Sequence, residues 1–213
     1  MSEEINIINT STRKEKFLNF IKLNLKSIII TIVSLILIII IFFSYQIYKS
    51  NKHKNIAEQF NLAIVDYEKD KQKNINIMKQ LIGKKDKTYS PLALYFIIDS
   101  QSNLPEKEIN EYFDIVINEL NLEKEIVNLN IFKKALYNAE FASEENMLAI
   151  VNPVINSESV WKSHVLYLMG EYFLHKSEKQ KAKEFFLKIL EINNPNPSIK
   201  LEAQRRLKRD LSE

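Results

Sequence analysis

The side chains able to do chemistry in this 213-residue chain are three histidines and a scatter of carboxylates, with no cysteine. Glu171 and His175 stand four residues apart, the spacing that brings two side chains to one face of a helix, where they could share a metal ion. Two ligands do not make a site, and no H-E-x-x-H pattern accompanies them. His164 lies eleven residues before His175, about three helical turns away. His53 sits in a basic flank between Lys52 and Lys54 and reads as solvated. The carboxylate pairs Glu144–Glu145 and Asp66–Glu68 fall on polar stretches and read as solvated faces rather than an acid–base pair. The lack of cysteine removes disulfides, thiolate nucleophiles and cysteine zinc sites together. Two glycines cannot build a phosphate-cradling loop, and no G-x-S-x-G elbow occurs. The expectation is therefore no catalytic residue, no metal, no cofactor and no enzyme activity.

Charge points away from nucleic acid as well. The formal net charge is +3, and basic and acidic residues are mixed along the chain instead of forming one stripe. The strongest single signal lies near the N-terminus. From Ser27 to Tyr48 there are 22 residues without a charge, flanked by Lys26 and Lys49. As a helix this stretch is roughly 33 Å long, against about 30 Å of hydrocarbon. Ser34 and Thr31 can bond back to their own helix, and Tyr45 and Tyr48 lie where interfacial aromatics belong. The apolar run is too long for a cleaved signal peptide, and no small-x-small site follows it. It reads as an uncleaved membrane anchor.

Arg13, Lys14, Lys16, Lys22 and Lys26 precede the span, and Lys49, Lys52 and Lys54 follow it. This positive-inside bias puts the N-terminus in the cytoplasm. The chain divides accordingly into a basic cytoplasmic arm (1–26), a transmembrane helix (27–48) and a periplasmic domain (49–213), a single-pass arrangement in a bacterial inner membrane. Within the arm, Thr12 and Glu15 fit a capping box opening a helix. Phe17, Phe20, Ile21 and Leu25 would share one face, with Lys14, Lys16 and Lys22 elsewhere. That helix reads either as one lying on anionic headgroups or as a solvated flank that sets topology.

Beyond the anchor, apolar residues recur at three- and four-residue steps with no lasting strand alternation. A helix is expected over about Ile56–Tyr67, and another through Ile75, Met78, Leu81 and Ile82 that stops at Gly83. Pro91 and Pro105 sit near helix starts, where a missing N–H costs little. Further helices are expected over Glu123–Glu140 and Glu144–Ile155, and the last is opened by Pro197 and Ser198. Short connections between helices of this length suggest antiparallel hairpins stacked side by side. The fold class is all-α: a single transmembrane helix, then a tetratricopeptide-like α-solenoid of helical hairpins.

The tetratricopeptide pattern itself is clear once. Leu166, Met169, Gly170, Phe173, Ala182, Phe186 and Pro195 follow its order of large, small and aromatic residues, with twelve positions from Gly170 to Ala182 and four from Ala182 to Phe186. Gly170 and Ala182 are expected where the two helices of the hairpin approach most closely, with Phe173 and Phe186 filling the gaps beside them. Elsewhere the repeat is degenerate: with Phe113 at the second aromatic position, Ile109 and Ile97 occupy the small positions. Since Leu166, Met169, Gly170 and Phe173 account for one packing face, Tyr167 and Tyr172 are the candidate residues for partner contact.

A basic arm, one span and a domain of degenerate tetratricopeptide hairpins resemble the ancillary SecYEG translocon subunit family of proteobacteria. The residues carrying the resemblance are the anchor, "KTYSPLALYFI" and the motif from Leu166 to Pro195. The resemblance implies a bitopic inner-membrane protein whose repeat domain contacts translocon subunits, periplasmic chaperones or client segments. The chain departs from the family in having few small residues at repeat positions and a poor match to its acidic N-terminal segment. The leading functional expectation is a membrane-tethered protein–protein interaction scaffold. An envelope or outer-membrane assembly factor and a sequestering regulator of a membrane signalling protein are the alternatives.

Overall fold

Apolar periodicity of about 3.6 residues runs through the chain, and the chain forms helices throughout. The computed structural model describes residues 2–100 and 103–211, with side chains from Arg13 onward. Among these residues there are nine α-helices and no strand. They divide into two compact units, residues 1–55 and 56–213.

The first unit is helical from Ser2. Its helix, α1 (Ser2–Val65), runs past the unit boundary and is two helices joined across a kink at Asn24 (φ −111°, ψ 15°). The backbone is already helical at Thr12, so no helix opens there, contrary to the capping-box expectation. The charge-free stretch of α1 is long and apolar enough to cross a membrane, and none of it is buried against protein. Within it Thr31 donates from its hydroxyl to the Ser27 carbonyl at 2.9 Å, and Ser34 to the Thr31 carbonyl at 2.8 Å. Both hydroxyls are thus satisfied inside their own helix, as hydrocarbon surroundings require.

In the second unit, the end of α1 is followed by α2 (Lys71–Gly83), α3 (Tyr89–Asp99), α4 (Glu106–Glu119), α5 (Lys124–Asn138), α6 (Glu144–Ile155), α7 (Lys162–His175), α8 (Lys179–Leu190) and α9 (Pro197–Arg209). The segment from Ile56 is therefore not a separate helix but the last turns of α1, ending at Val65 rather than Tyr67. Side-chain caps open several elements. Asp70 accepts from the Lys73 N–H, Ser143 from the Asn146 N–H, and Asn196 from Ser198 and Ile199. Asn196 also places Pro197 at the first helical position, where proline fits best.

α2 ends at Gly83, the stop expected from the sequence. Gly83 is the last helical residue but does not adopt positive φ; the left-handed turn is made two residues later by Lys85 (φ 54°). Lys85 forms an ion pair with Glu119 of α4, so the strained residue is held by its side chain.

From α2 onward each helix packs on the next in sequence, and α2 also touches α4, α5 touches α7, and α7 touches α9. Consecutive antiparallel hairpins whose alternate helices stack make a solenoid. The alternation changes phase between α4 and α5, and two hydrophobic clusters meet there. One gathers Phe60, Met78, Leu81, Leu94, Ile97 and Phe113 from the end of α1 through α4. The other gathers Met147, Leu166, Met169, Phe173, Phe186 and Ile189 from α5 through α9. Ile117 packs against both.

Candidate functional site

The α7–α8 hairpin is built from the residues whose spacing identifies it. Leu166, Met169 and Phe173 on α7, and Ala182 and Phe186 on α8, are fully or almost fully buried. Gly170 is buried too. A Cβ placed on it would meet three ring atoms of Phe186 at 2.5, 2.6 and 2.9 Å, far inside van der Waals contact. Its hydrogen therefore makes room for an aromatic ring. The Phe173 ring lies 5.4 Å from that of Phe185, nearly parallel, and Lys181 sits 5.2 Å above it. Pro195 lies half-buried in the α8–α9 connection, not in the hairpin itself.

The two tyrosines expected to meet a partner are engaged elsewhere. Tyr172 is only 4% exposed, and its hydroxyl donates to the Ala142 carbonyl at 3.0 Å. It is a core residue joining α7 to the start of the α6 hairpin, which overturns its assignment as a contact residue. Tyr167 is half-buried with its ring 5.5 Å from Phe186. Burial, followed by nearby Glu171, holds its phenol above the usual range, with Arg206 opposing.

Glu171 does not pair with His175. It receives two hydrogen bonds from Arg206 of α9, Nε to Oε1 and Nη2 to Oε2, both at 2.7 Å. This bidentate fork is the strong geometry for an arginine–carboxylate pair, and it clamps α9 onto α7. His175 is exposed at the end of α7. His164 packs at 5.8 and 5.1 Å against the rings of Phe132 and Trp161, which are themselves stacked 5.9 Å apart. Glu144 pairs with Lys181 and Asp66 with Lys69, each at 2.6 Å. Among the described residues no three metal-ligating side chains cluster.

The joint between the two clusters is polar, which no sequence pattern announces. Asn110 of α4 and Asn138 of α5 exchange amide hydrogen bonds, at 3.0 Å in one direction and 2.8 Å in the other. Each amide also bonds one turn back, Asn110 to the Glu106 carbonyl and Asn138 to the Lys134 carbonyl. Lys134 bridges to Asp114 at 2.7 Å. Nearby, the Tyr95 hydroxyl donates to buried Asn130 at 2.6 Å, and burial pushes the Tyr95 phenol up to about 12.

Beside this joint is the surface best suited to hold an apolar anchor. Tyr95, Ile98, Phe113, Leu136 and Tyr137 line a recess of about 200 Å³, with Asp99 and Lys133 at its edge. Lys133 stands 3.5 Å above the Tyr95 ring. Leu136 is 55% exposed and Phe141, whose ring touches that of Tyr137, is 41% exposed. The volume is below the roughly 300–1,000 Å³ of small-molecule sites, a size for a side chain rather than a cofactor. A larger recess of about 570 Å³ lies between the α6–α7 and α8–α9 connections, its lining mixing Glu158, Lys162, Lys188 and Glu191 with Ile155, Val160, Leu166 and Ile192. No family model, characterised protein or solved structure matches the chain.

Proposed function

We propose that the chain is a membrane-tethered protein–protein interaction scaffold. Residues 27–48 cross a bacterial inner membrane once, residues 1–26 stay in the cytoplasm, and the helical hairpins bind protein segments on the periplasmic side. Translocon subunits, periplasmic chaperones or their clients are the partners the resemblance implies. The observation that carries this reading is the union in one chain of an unburied, charge-free helical stretch with a stack of helical hairpins. The recess at Tyr95, Leu136 and Tyr137 is the contact surface it favours, because apolar anchors seated in small pockets dominate protein–protein affinity. Tethering raises the local concentration of that surface, so individually weak contacts suffice.

A photo-crosslinker placed at Leu136, read out in native membranes by mass spectrometry, tests the reading. Translocon subunits, chaperones or exported clients among the products support it. Envelope-assembly proteins alone, or a single signalling protein alone, would replace it with one of the two alternatives. A topology reporter fused after Glu213 is expected to be active only in the periplasm.

A further inference from the structure

The break in α1 at Asn24 comes three residues before the charge-free stretch begins. It has a local cause. The Asn24 carboxamide donates to the Phe20 carbonyl at 3.0 Å, one turn back, and its backbone leaves the helical region. A side chain intruding on the i to i−4 ladder is a recognised origin of a helix kink. The helix before the break is a distinct element, and its apolar side chains are uncovered: Phe17 is 64% exposed and Phe20 is 59% exposed. A helix of this length with bare phenylalanines needs a second surface to be stable.

We infer that the arm helix before Asn24 lies on the anionic leaflet of the bilayer, held by Phe17, Phe20 and Ile21 below and by basic residues above. On helical geometry those three side chains fall within about 100° of arc, the width of an interfacial apolar face. Glu15 and Lys22 point to the other side, and Lys16 lies at the flank. Arg13 and Lys14 stand one turn before Phe17, on long stems that snorkel to lipid phosphates. From residue 13 to 26 the arm carries five cations and one carboxylate, the composition that anionic headgroups attract. Continuity supplies the second argument: the arm is joined within one unit to the apolar stretch of α1. The inference rests on the reading of residues 27–48 as a span.

The chain has no cysteine, so single labels can be placed on the full-length protein. Nitroxides at Asn19→Cys, Phe20→Cys and Ile36→Cys would be read in phosphatidylglycerol–phosphatidylcholine vesicles and in phosphatidylcholine alone. Expected in the anionic vesicles is a Phe20 label reached by oxygen, an Asn19 label reached by a water-soluble relaxant, and an Ile36 label deep in lipid. Each basic residue contributes roughly fivefold to surface partitioning, so combined Arg13→Gln, Lys14→Gln and Lys16→Gln should shift the Phe20 label toward water on the order of 100-fold. Labels at 19 and 20 equally exposed to water overturn the inference, as does immersion that ignores lipid charge. Dipolar broadening between Phe20 labels of two chains would assign the face to a second copy instead. An Ile36 label in water would overturn the span itself, an outcome distinct from failure of the arm alone.

Discussion

Gly83 and Gly170, the two glycines of the chain, mark the α2–α3 and α7–α8 hairpins, and each is glycine in a different physical setting. Gly170 lies mid-helix with a phenylalanine ring where its Cβ would be. Gly83 ends α2 with open space where a Cβ would project, nothing lying within 4 Å of it, and with an ordinary backbone conformation. The first hairpin makes its left-handed turn at Lys85, whose side chain pairs with Glu119. Close packing thus requires glycine in one hairpin, while in the other the residue that would benefit from being glycine is not. Spacing to Ala182 and Phe186 separates the two cases in the sequence; residue type alone does not.

Substitutions can break this contrast in order of severity. Phe186→Ala removes a fully buried ring from the second cluster and should cost about 3–5 kcal/mol in chemical denaturation. Gly170→Ala should cost about 1–3 kcal/mol through overpacking. If the ring is the cause, much of that loss disappears in the double variant with Phe186→Leu; strictly additive losses would refute the close-approach account. Asn138→Ala leaves the Asn110 amide without its partner at the joint, at about 1–3 kcal/mol. Gly83→Ala should instead stabilise the protein by up to about 0.5–1 kcal/mol. Adding Lys85→Gly should relieve about 1 kcal/mol of left-handed strain, less what the Glu119 pair supplies. A destabilised Gly83→Ala variant would mean that this glycine too has a packing role.

The last effect concerns pH. The Tyr95 phenol is held near 12 in the folded protein by burial, against about 10 in an unfolded chain. A group with a raised folded pKa stabilises fully below the unfolded value and loses its contribution as pH rises toward the folded one. Stability should therefore fall between about pH 10 and 12. Tyr95→Phe should make that limb shallower, with the raised phenols of Tyr112, Tyr137, Tyr167 and Tyr172 supplying the rest, and urea midpoints across the range would measure it.

Most of the helical scaffold was legible in the sequence. Periodicity locates the helices, and the α6 limits match those expected from the sequence, because Ser143 caps the start. The α7–α8 motif was legible because Gly170, Ala182 and Phe186 encode a two-helix contact. Tyr172 was misread for the same reason. A hairpin motif assigns one packing face, but α7 is enclosed by α5, α6, α8 and α9, so several of its faces are buried. The recess at Tyr95 and Tyr137 escaped because its lining comes from α3, α4 and α5, which no local spacing connects. The Asn110–Asn138 pair escaped because asparagine on a helix ordinarily signals solvent. The run of α1 through Ile56 escaped because polar residues 49–55 look like a connection, although none of them forbids a helix.

Two clusters joined by Ile117, the Phe113–Tyr137 ring contact and a few polar bridges need not melt together. Amide hydrogen bonds fix orientation, yet they bury little apolar area to couple the opening of one half to the other. Native-state hydrogen exchange should resolve two plateaus of protection, one over α2–α4 and one over α6–α9, with the Asn138→Ala variant drawing them further apart.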